Sequence, residues 1–214
     1  MSQNHSFPKL PIVVFISGRG SNLVAIHKEI VRGNVPAEIR CVISSSKDAG
    51  GLAFAKENGI PGHWLEKEDF RNEGALSEKL SAILDEYNPA LLVLAGFLRK
   101  IPEAVVTAFK NRIINVHPAL LPAFGGKGMY GKHVHKAVLD YGCKVSGATV
   151  HIVSAEYDTG PPIIQQTVPV LDDDSPETLA ERILFVEHRI LPKAVDLFAR
   201  NRIKIIGRKV MIES

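Results

Sequence analysis

Continuous runs of apolar residues alternate along the first part of the chain with segments whose apolar residues recur every three or four positions. Helical spacing predicts helices at 23–32, 51–58 and 76–87. The strands predicted between and beyond them lie at 12–16, 39–43, 63–65, 91–95 and 113–116. Apolar strands separated by helices are typical of a parallel sheet that is covered on both faces. The pattern predicts an α/β fold with a Rossmann-like, mostly parallel sheet and helices on both faces.

The pattern changes after about residue 142. Two β-rich segments, 145–153 and 163–170, flank a turn at 158–161 and predict an antiparallel C-terminal extension of the sheet. Two shorter β-rich segments, 203–206 and 209–212, predict a hairpin that closes the chain.

A long helix is predicted between these β-rich regions. Ser175 is a typical N-cap and Pro176 a typical first helical residue, and the helix is predicted to run to about Phe198. No internal repeat or linker interrupts the sequence. We therefore expect residues 1–11 to be a disordered lead-in and residues 12–214 to form a single domain.

Composition and charge exclude several classes of function. The net charge is only +3 and the basic residues are scattered among acidic ones, so no nucleic-acid partner is predicted. No apolar stretch has the length of a membrane span, and the N-terminus lacks the features of a signal peptide. The two cysteines, Cys41 and Cys143, fit a reducing compartment, so we expect a cytoplasmic protein.

A glycine-rich segment, 17–22, joins the first predicted strand to the first predicted helix. Glycines let the backbone approach a ligand closely, and a helix N-terminus offers unpaired N–H groups to an anion. Leu23 replaces the third glycine of a dinucleotide fingerprint, and no acidic residue follows the second strand at 44–46. A monophosphate is therefore favoured over a dinucleotide. A plain strand-to-helix turn, capped by Ser21 or Asn22, explains the local pattern equally well.

The most informative segment carries an amide and an imidazole at the end of a predicted strand. Asn115 and His117 are two residues apart, so both side chains point to the same side of the strand. Pro118 and Pro122 stiffen the loop that follows. If the turn at Asp158 folds back over the sheet, its carboxylate would meet His117 and raise the imidazole pKa above about 6.5. The alternatives are a polar strand end and an Asp that only forms a turn.

Two further segments bear on the site. The loop 96–101 mixes apolar residues with free backbone groups, and we expect it to meet the glycine segment at the carboxyl edge of the sheet. His133 and His135 do not predict a metal site, because residues two apart on a helix diverge and no third ligand stands out. No metal is therefore predicted.

Taken together, the segments 18–22, 94–99, 115–122 and 156–161 resemble the folate-dependent formyltransferases. Their order and spacing are similar to the group of them that formylates glycinamide ribonucleotide, over residues 12–202. The resemblance implies transfer of a formyl group from 10-formyltetrahydrofolate, as co-substrate, to the amine of glycinamide ribonucleotide in de novo purine biosynthesis. It also allows a homodimer.

The resemblance implies roles for individual residues. The catalytic trio that it implies is Asn115, His117 and Asp158, in which Asn115 and a protonated His117 donate to the oxyanion. The residues implied for the substrate phosphate and ribosyl groups are Gly20, Ser21, Asn22 and Glu187. Those implied for the folate, besides Asn115 and Asp158, are Leu98, Arg99, Lys100, Ile101, Ser154, Ala155, Glu156 and Tyr157. Arg71 is a candidate for the glutamate tail of the folate, because Glu73 stands where relatives often carry a basic residue.

Other functions compete with this interpretation. A formyltetrahydrofolate hydrolase uses the same trio with water as the acceptor, but such enzymes usually carry an additional N-terminal domain, and only residues 1–11 precede the first strand. A methionyl-tRNA formyltransferase has a further C-terminal domain, and the chain ends at Ser214. A non-catalytic phosphate-binding module would explain the glycine segment but not the three polar residues.

Overall fold

Seven strands form one sheet in the computed structural model, which describes residues 8–213. These strands are β1 (Leu10–Ile16), β2 (Ala37–Ser44), β3 (Gly62–Trp64), β4 (Leu91–Leu94), β5 (Ile113–His117), β6 (Val145–Ile152) and β7 (Pro162–Pro169). They lie in the order β3-β2-β1-β4-β5-β6-β7. The first five are parallel, and β6 is antiparallel to both of its neighbours. The predicted mostly parallel sheet with an antiparallel extension is confirmed.

Helices connect the strands and cover both faces of the sheet. They are α1 (Ser21–Val31), α2 (Gly50–Glu57), α3 (Glu73–Tyr87), α4 (Glu103–Ala108), α5 (Lys132–Asp140) and α6 (Pro176–Ala199). As predicted, Ser175 caps α6, because its hydroxyl accepts a hydrogen bond from the Thr178 N–H. Within the described residues, no helix combines the length and apolar character that a membrane crossing requires. A hairpin of β8 (Ile203–Ile206) and β9 (Lys209–Ile212) follows α6, as predicted.

The core lies in two layers, one on each face of the sheet. Along β1, Val13 and Phe15 pack into the layer that α3 covers, whereas Ile12 and Val14 pack into the layer under α1 and α6. All four side chains are fully buried. A strand that is buried on both faces needs apolar residues at every position, which explains the continuous runs in the sequence.

The start of the chain differs from the prediction where it is described. β1 begins at Leu10, so Leu10 and Pro11 belong to the sheet and pair in parallel with β2. Residues 1–7 of the expected lead-in lie outside the described residues. The assignment of 12–214 to one domain stays a prediction.

The connectivity creates a crevice at one edge of the sheet. From β1 the chain builds outward through β2 and β3, and it then returns to place β4 on the opposite side of β1. The loops that leave β1 and β4 at their carboxyl ends therefore run in opposite directions. Ligands of open α/β sheets bind at such a switch point.

Candidate active site

A cavity of about 740 Å³ opens at this switch point. Its walls include the segments 18–22, 94–101, 115–118, 126–132 and 153–158, together with His135, His151 and four residues of α6. The three features that were expected to converge, namely the glycine segment, the loop after β4 and the end of β5, thus line one cavity.

The amide, the imidazole and the carboxylate of the expected trio lie together in this cavity. Asn115 and His117 project from the end of β5, and Asp158 lies on the turn between β6 and β7. Nδ1 of His117 lies 3.6 Å from Oδ2 of Asp158, and both side chains are largely buried. This distance is an electrostatic contact and exceeds that of a hydrogen bond. The turn does fold back over the sheet.

Asp158 is held by backbone as well as by side chains. Its φ is 56°, a left-handed conformation that Asp and Asn tolerate better than most residues. The Gly126 N–H donates to Oδ2 at 2.9 Å, and Nε2 of His151 lies 3.6 Å from Oδ1. Burial alone would raise the pKa of Asp158, but His151, His117 and the Gly126 N–H together hold the pKa below its usual value. Asp158 is therefore an anion at neutral pH.

His117 differs from the expectation in its charge. Burial lowers the pKa of the ring, and this effect outweighs the Asp158 carboxylate and the Phe124 carbonyl, both of which raise the pKa. The prediction that Asp158 keeps His117 protonated is therefore wrong. Nε2 lies 2.8 Å from the Phe124 carbonyl oxygen, which can only accept, so Nε2 carries the ring proton. In this neutral tautomer Nδ1 faces Asp158 with a lone pair and is free to take up a proton.

The glycine segment forms a tight connection between β1 and α1. Gly20 is the N-cap of α1 with φ 77°, and no side chain caps the helix. A Cβ at Gly20 would lie 2.7 Å from the Cα of Gly51, so the loop has no room for a side chain there. The first turn of α1, at Ser21 and Asn22, therefore presents uncapped N–H groups to the cavity, which is the arrangement that binds anions.

A buried carboxylate lies beside the glycine segment. Glu187 of α6 accepts a hydrogen bond from Nδ2 of Asn22 at 2.7 Å, and both residues line the cavity. Burial raises the pKa of Glu187 to about 7, although the Asn22 hydrogen bond opposes this shift. No basic side chain pairs with Glu187 among the described residues. A carboxylate kept in such a costly environment indicates a function rather than a stabilising role.

We expect the free energy of unfolding to vary less with pH in Glu187→Gln than in the wild type. The pKa of Glu187 rises from 4.5 to about 7 on folding, so its proton favours the folded state, and this contribution is lost as the pH rises through 7. The free energy of unfolding in urea should therefore fall between pH 5 and pH 8 by about 2–3 kcal/mol more in the wild type than in the variant. Glu181→Gln, which removes an exposed carboxylate of the same helix, is the control, and its unfolding free energy should follow that of the wild type. Parallel pH profiles for Glu187→Gln and the wild type would contradict the assignment.

The residues expected to hold the folate form another part of the cavity wall. All eight side chains implied for it line the cavity: Leu98, Arg99, Lys100, Ile101, Ser154, Ala155, Glu156 and Tyr157. The hydroxyl of Ser17 accepts the Leu98 N–H at 2.8 Å and lies 2.6 Å from the hydroxyl of Ser45. Because Ser17 opens the glycine segment, this hydrogen bond fixes the two sides of the cavity relative to each other.

Arg71 is not brought to the cavity. It ends a short 3-10 turn (Asp69–Arg71), and its side chain is 78% exposed. Its one ion pair among the described residues is a long one of 3.8 Å with Glu68. It does not line the cavity wall. The structure therefore does not support the expectation that Arg71 meets the folate glutamate tail, because this turn follows the edge strand β3 rather than the carboxyl ends of β1 and β4.

Comparison with known proteins identifies the family. A model of the formyl transferase family matches residues 10–195. The chain belongs to the formyl transferase family. The phosphoribosylglycinamide formyltransferase of Arabidopsis thaliana chloroplasts is 43% identical over 94% of this chain and 69% of the relative. That of Escherichia coli is 38% identical over 91% of this chain and 89% of the relative. This chain is also similar to the crystal structure of glycinamide ribonucleotide transformylase 1 from Symbiobacterium toebii, with a TM-score of 0.90 and 41% sequence identity. The match covers 96% of this chain and 95% of the Symbiobacterium chain.

One residue of this formyl transferase site was missed by the sequence analysis. His151 of β6 pairs directly across the sheet with Asn115, and its Nε2 lies 3.1 Å from Nδ2 of Asn115. Nδ1 lies 2.9 Å from the Ile152 carbonyl, so in the neutral ring Nδ1 is the donor and Nε2 accepts from Asn115. The signal in the sequence was a single histidine between apolar residues of a predicted strand.

The other histidines near this formyl transferase site do not form a metal centre. His135 of α5 is buried and lines the cavity, whereas His133 is exposed. Within residues 8–213, no group of three or more His, Cys, Asp or Glu side chains is arranged to hold a metal ion.

Proposed function

We propose that this protein transfers the formyl group of 10-formyltetrahydrofolate to the amine of glycinamide ribonucleotide, a step of de novo purine biosynthesis. The observation that carries the proposal is that Asn115, His117 and Asp158 line one cavity together with the uncapped N-terminus of α1 and the loop 98–101. Relatives that bear the name of this activity are 43% and 38% identical to the chain, which supports the same conclusion.

In this proposal the two substrates would occupy different ends of the cavity. The ribonucleotide would place its phosphate on the N–H groups of Ser21 and Asn22 and its ribose near Glu187. The pterin of the folate would lie between the loop 98–101 and the segment 154–158, with its formyl group toward Asn115. The amine and the formyl carbon would then meet beside His117, and holding them there supplies much of the rate enhancement.

The first step is attack of the neutral amine on the formyl carbon. A carbon–nitrogen bond forms, and the carbonyl electron pair moves to the oxygen. One N–H of Asn115 is directed at His151, and the second N–H is left to donate to this oxyanion. Such donors contribute most when they are oriented before the reaction begins. We propose that His151 provides this orientation.

The second step moves one proton and releases the folate. Nδ1 of neutral His117 accepts the proton that the attacking nitrogen loses, and the resulting imidazolium is stabilised by Asp158, 3.6 Å away. This proton then passes, directly or through water, to N10 of the folate while the bond from N10 to the formyl carbon breaks. The products are the formylated amide and tetrahydrofolate, and the enzyme regains its starting protonation state.

The acceptor dependence of folate turnover tests the proposed function. Purified protein is mixed with 10-formyltetrahydrofolate, and tetrahydrofolate formation is followed with and without glycinamide ribonucleotide. We expect turnover only when the ribonucleotide is present. Equal turnover without it would identify a formyltetrahydrofolate hydrolase, and no turnover in either mixture would favour a non-catalytic phosphate-binding module.

The proposal includes a cytoplasmic location and leaves room for a homodimer. Cys41 is buried and Cys143 is partly buried, and neither forms a disulfide. Burial raises the pKa of the Cys41 thiol to about 12, so this cysteine is an inert core residue. Both cysteines fit the reducing conditions of the cytoplasm.

A further inference from the structure

The segment 125–131 is here called the glycine–lysine loop, and its residues 126–131 line the cavity. Apart from the Gly126 N–H, which holds Asp158, the proposed mechanism gives this loop no role. The Gly126 N–H is bonded to Asp158 at one end of the loop, and at the other end Lys132 forms an ion pair of 2.7 Å with Glu177 of α6. Gly125 packs so closely on Asp158 that a Cβ there would lie 3.1 Å from the Cβ of Asp158. The loop is therefore fixed between the reaction centre and α6.

Lys127 occupies the corner of a turn within this loop. The Met129 N–H donates to the Gly126 carbonyl at 3.1 Å, and Gly128 has φ 89°, which are the features of a type II turn. The side chain at the corner of such a turn projects away from the backbone. Lys127 is exposed, lines the cavity and forms no ion pair within the described part of the chain.

The other cations of the cavity wall are placed differently. Lys132 is paired with Glu177. The guanidinium of Arg99 lies 5.2 Å from the centre of the Phe70 ring, and Lys100 follows Arg99 in the loop that is implied for the folate. Arg19 belongs to the glycine segment itself and is exposed. Lys127 is thus the cationic residue of the glycine–lysine loop that lines the cavity.

The ribonucleotide end of the cavity needs a positive charge. The face of α6 that lines this end presents Glu181, Leu184 and Glu187, which include two carboxylates and no base. A phosphate monoester carries up to two negative charges, whereas a helix N-terminus contributes about half of one positive charge. The N–H groups of α1 therefore leave much of the substrate charge to be met by side-chain cations, and Arg19 of the glycine segment and Lys127 both line the cavity.

The glycine–lysine loop contacts Asp158 of the folate segment at its N-terminal end and reaches the ribonucleotide side at its C-terminal end. Its C-terminal end is tied to the first turn of α6 by the Lys132–Glu177 pair, and α5, which follows it, packs on α6. The glycine segment is tied to the same helix by the Asn22–Glu187 hydrogen bond, and α1 packs there as well. Both loops thus share one support, whereas the loop 98–101 packs through Ile101 into the core layer on the other face of the sheet.

We propose that Lys127 binds the phosphate group of the ribonucleotide substrate, opposite the N–H groups of α1, and so completes the anion site. This inference rests on the proposed function, because it names a residue that recognises the substrate of that reaction. It assigns to Lys127 a role in substrate binding and none in the transfer of the formyl group.

A comparison of substrates with and without the phosphate tests this role. We expect Lys127→Ala to raise KM for glycinamide ribonucleotide about tenfold, which corresponds to the loss of one charged hydrogen bond. For the riboside analogue that lacks the phosphate, kcat/KM should be the same in the variant and the wild type. Lys127→Arg should restore the ribonucleotide KM, and KM for the formyl-folate should not change. Lys136→Ala, which removes a lysine paired with Asp140 outside the cavity, is the matched control.

The possible outcomes separate this inference from the proposed function. If the wild type shows acceptor-dependent turnover and Lys127→Ala leaves KM for the ribonucleotide unchanged, the role of Lys127 is overturned but the proposed function is not. An equal loss of kcat/KM with the riboside would also overturn it, because the effect would then not depend on the phosphate. A rise in KM for the folate alone would assign Lys127 to the folate carboxylates instead. Absence of turnover in the wild type would overturn the proposed function and this inference with it.

Discussion

An Asp158→Asn variant is expected to lose about 10²- to 10⁴-fold in kcat, while KM for each substrate stays within about threefold of the wild-type value. The amide lacks the negative charge that stabilises a proton on Nδ1 of His117, so the ring becomes a poorer base. Asn tolerates the left-handed backbone of this position, where φ is 56°. Its side-chain oxygen can still accept the Gly126 N–H, so the turn should keep its shape.

The pH profile separates this effect from a structural one. In the wild type, protonation of His117 should remove activity only below pH 6.5, because burial holds its pKa under that value. Loss of the Asp158 charge lowers the pKa further, so the acid limb of kcat should move to lower pH in the variant. Asp172→Asn, which removes an exposed carboxylate outside the cavity, should leave both kcat and the profile unchanged. A variant at position 158 that keeps kcat within about fivefold of the wild type would exclude the proton-transfer role.

The sheet could be predicted from the sequence because burial on both faces leaves a clear signal. β1 and β4 pack into both apolar layers, so every position in these two strands is apolar. Asn115 and His117 were recognisable for the same reason, since they interrupt an apolar strand with the spacing that places both on one side. Local chemistry was equally clear at Ser175 and Pro176, which begin α6 as predicted.

Other elements left too little local signal. Helix α4 has six residues and buries only Val105, and α5 follows a glycine-rich loop and buries only Val134, His135 and Val138. Neither helix presents enough buried apolar residues for a clear helical period. The sequence therefore did not predict the bounds of either helix.

The properties that depend on distant packing could not be predicted either. The partnership of His151 with Asn115 is set by the antiparallel register of β5 and β6, which the sequence does not specify. The pKa of His117 depends on how deeply the ring is buried, and the sequence indicated only the neighbouring carboxylate. For such groups the direction of a pKa shift follows from the three-dimensional packing, because desolvation and a nearby charge act in opposite directions.

The candidate site concentrates features that are unfavourable elsewhere in a protein. Asp158 and Phe124 both have positive φ, and Glu187 is a buried carboxylate without a basic partner within the described residues. Such features persist where the surrounding structure fixes them, and they are common at functional sites. Here the Phe124 carbonyl fixes the tautomer of His117, and the loop that follows it supplies the N–H group for Asp158. The connection from β5 to α5 therefore determines which ring nitrogen of His117 carries the proton, and it also holds Asp158 in place.

Replacement of Asn115 by Ala is expected to lower kcat by about 10²- to 10³-fold, because it removes an oriented donor to the oxyanion. The loss should appear in kcat more than in KM, since the donor acts most strongly on charge that develops in the transition state. Steady-state kinetics with both substrates measures the effect. Thermal unfolding of the variant serves as the control, because Asn115 is only partly buried and its truncation should leave the sheet intact.

A double-mutant cycle with His151→Ala tests how Asn115 is oriented. His151 contacts Asn115 at 3.1 Å and lies 3.6 Å from Asp158, so its removal should lower kcat by less than the loss of Asn115 itself. If His151 acts by directing the amide, its removal should cost little once Asn115 is absent, and the two effects should not multiply in the double variant. Fully multiplicative losses would show that His151 affects the reaction independently of Asn115, through Asp158 or through direct contact with a substrate.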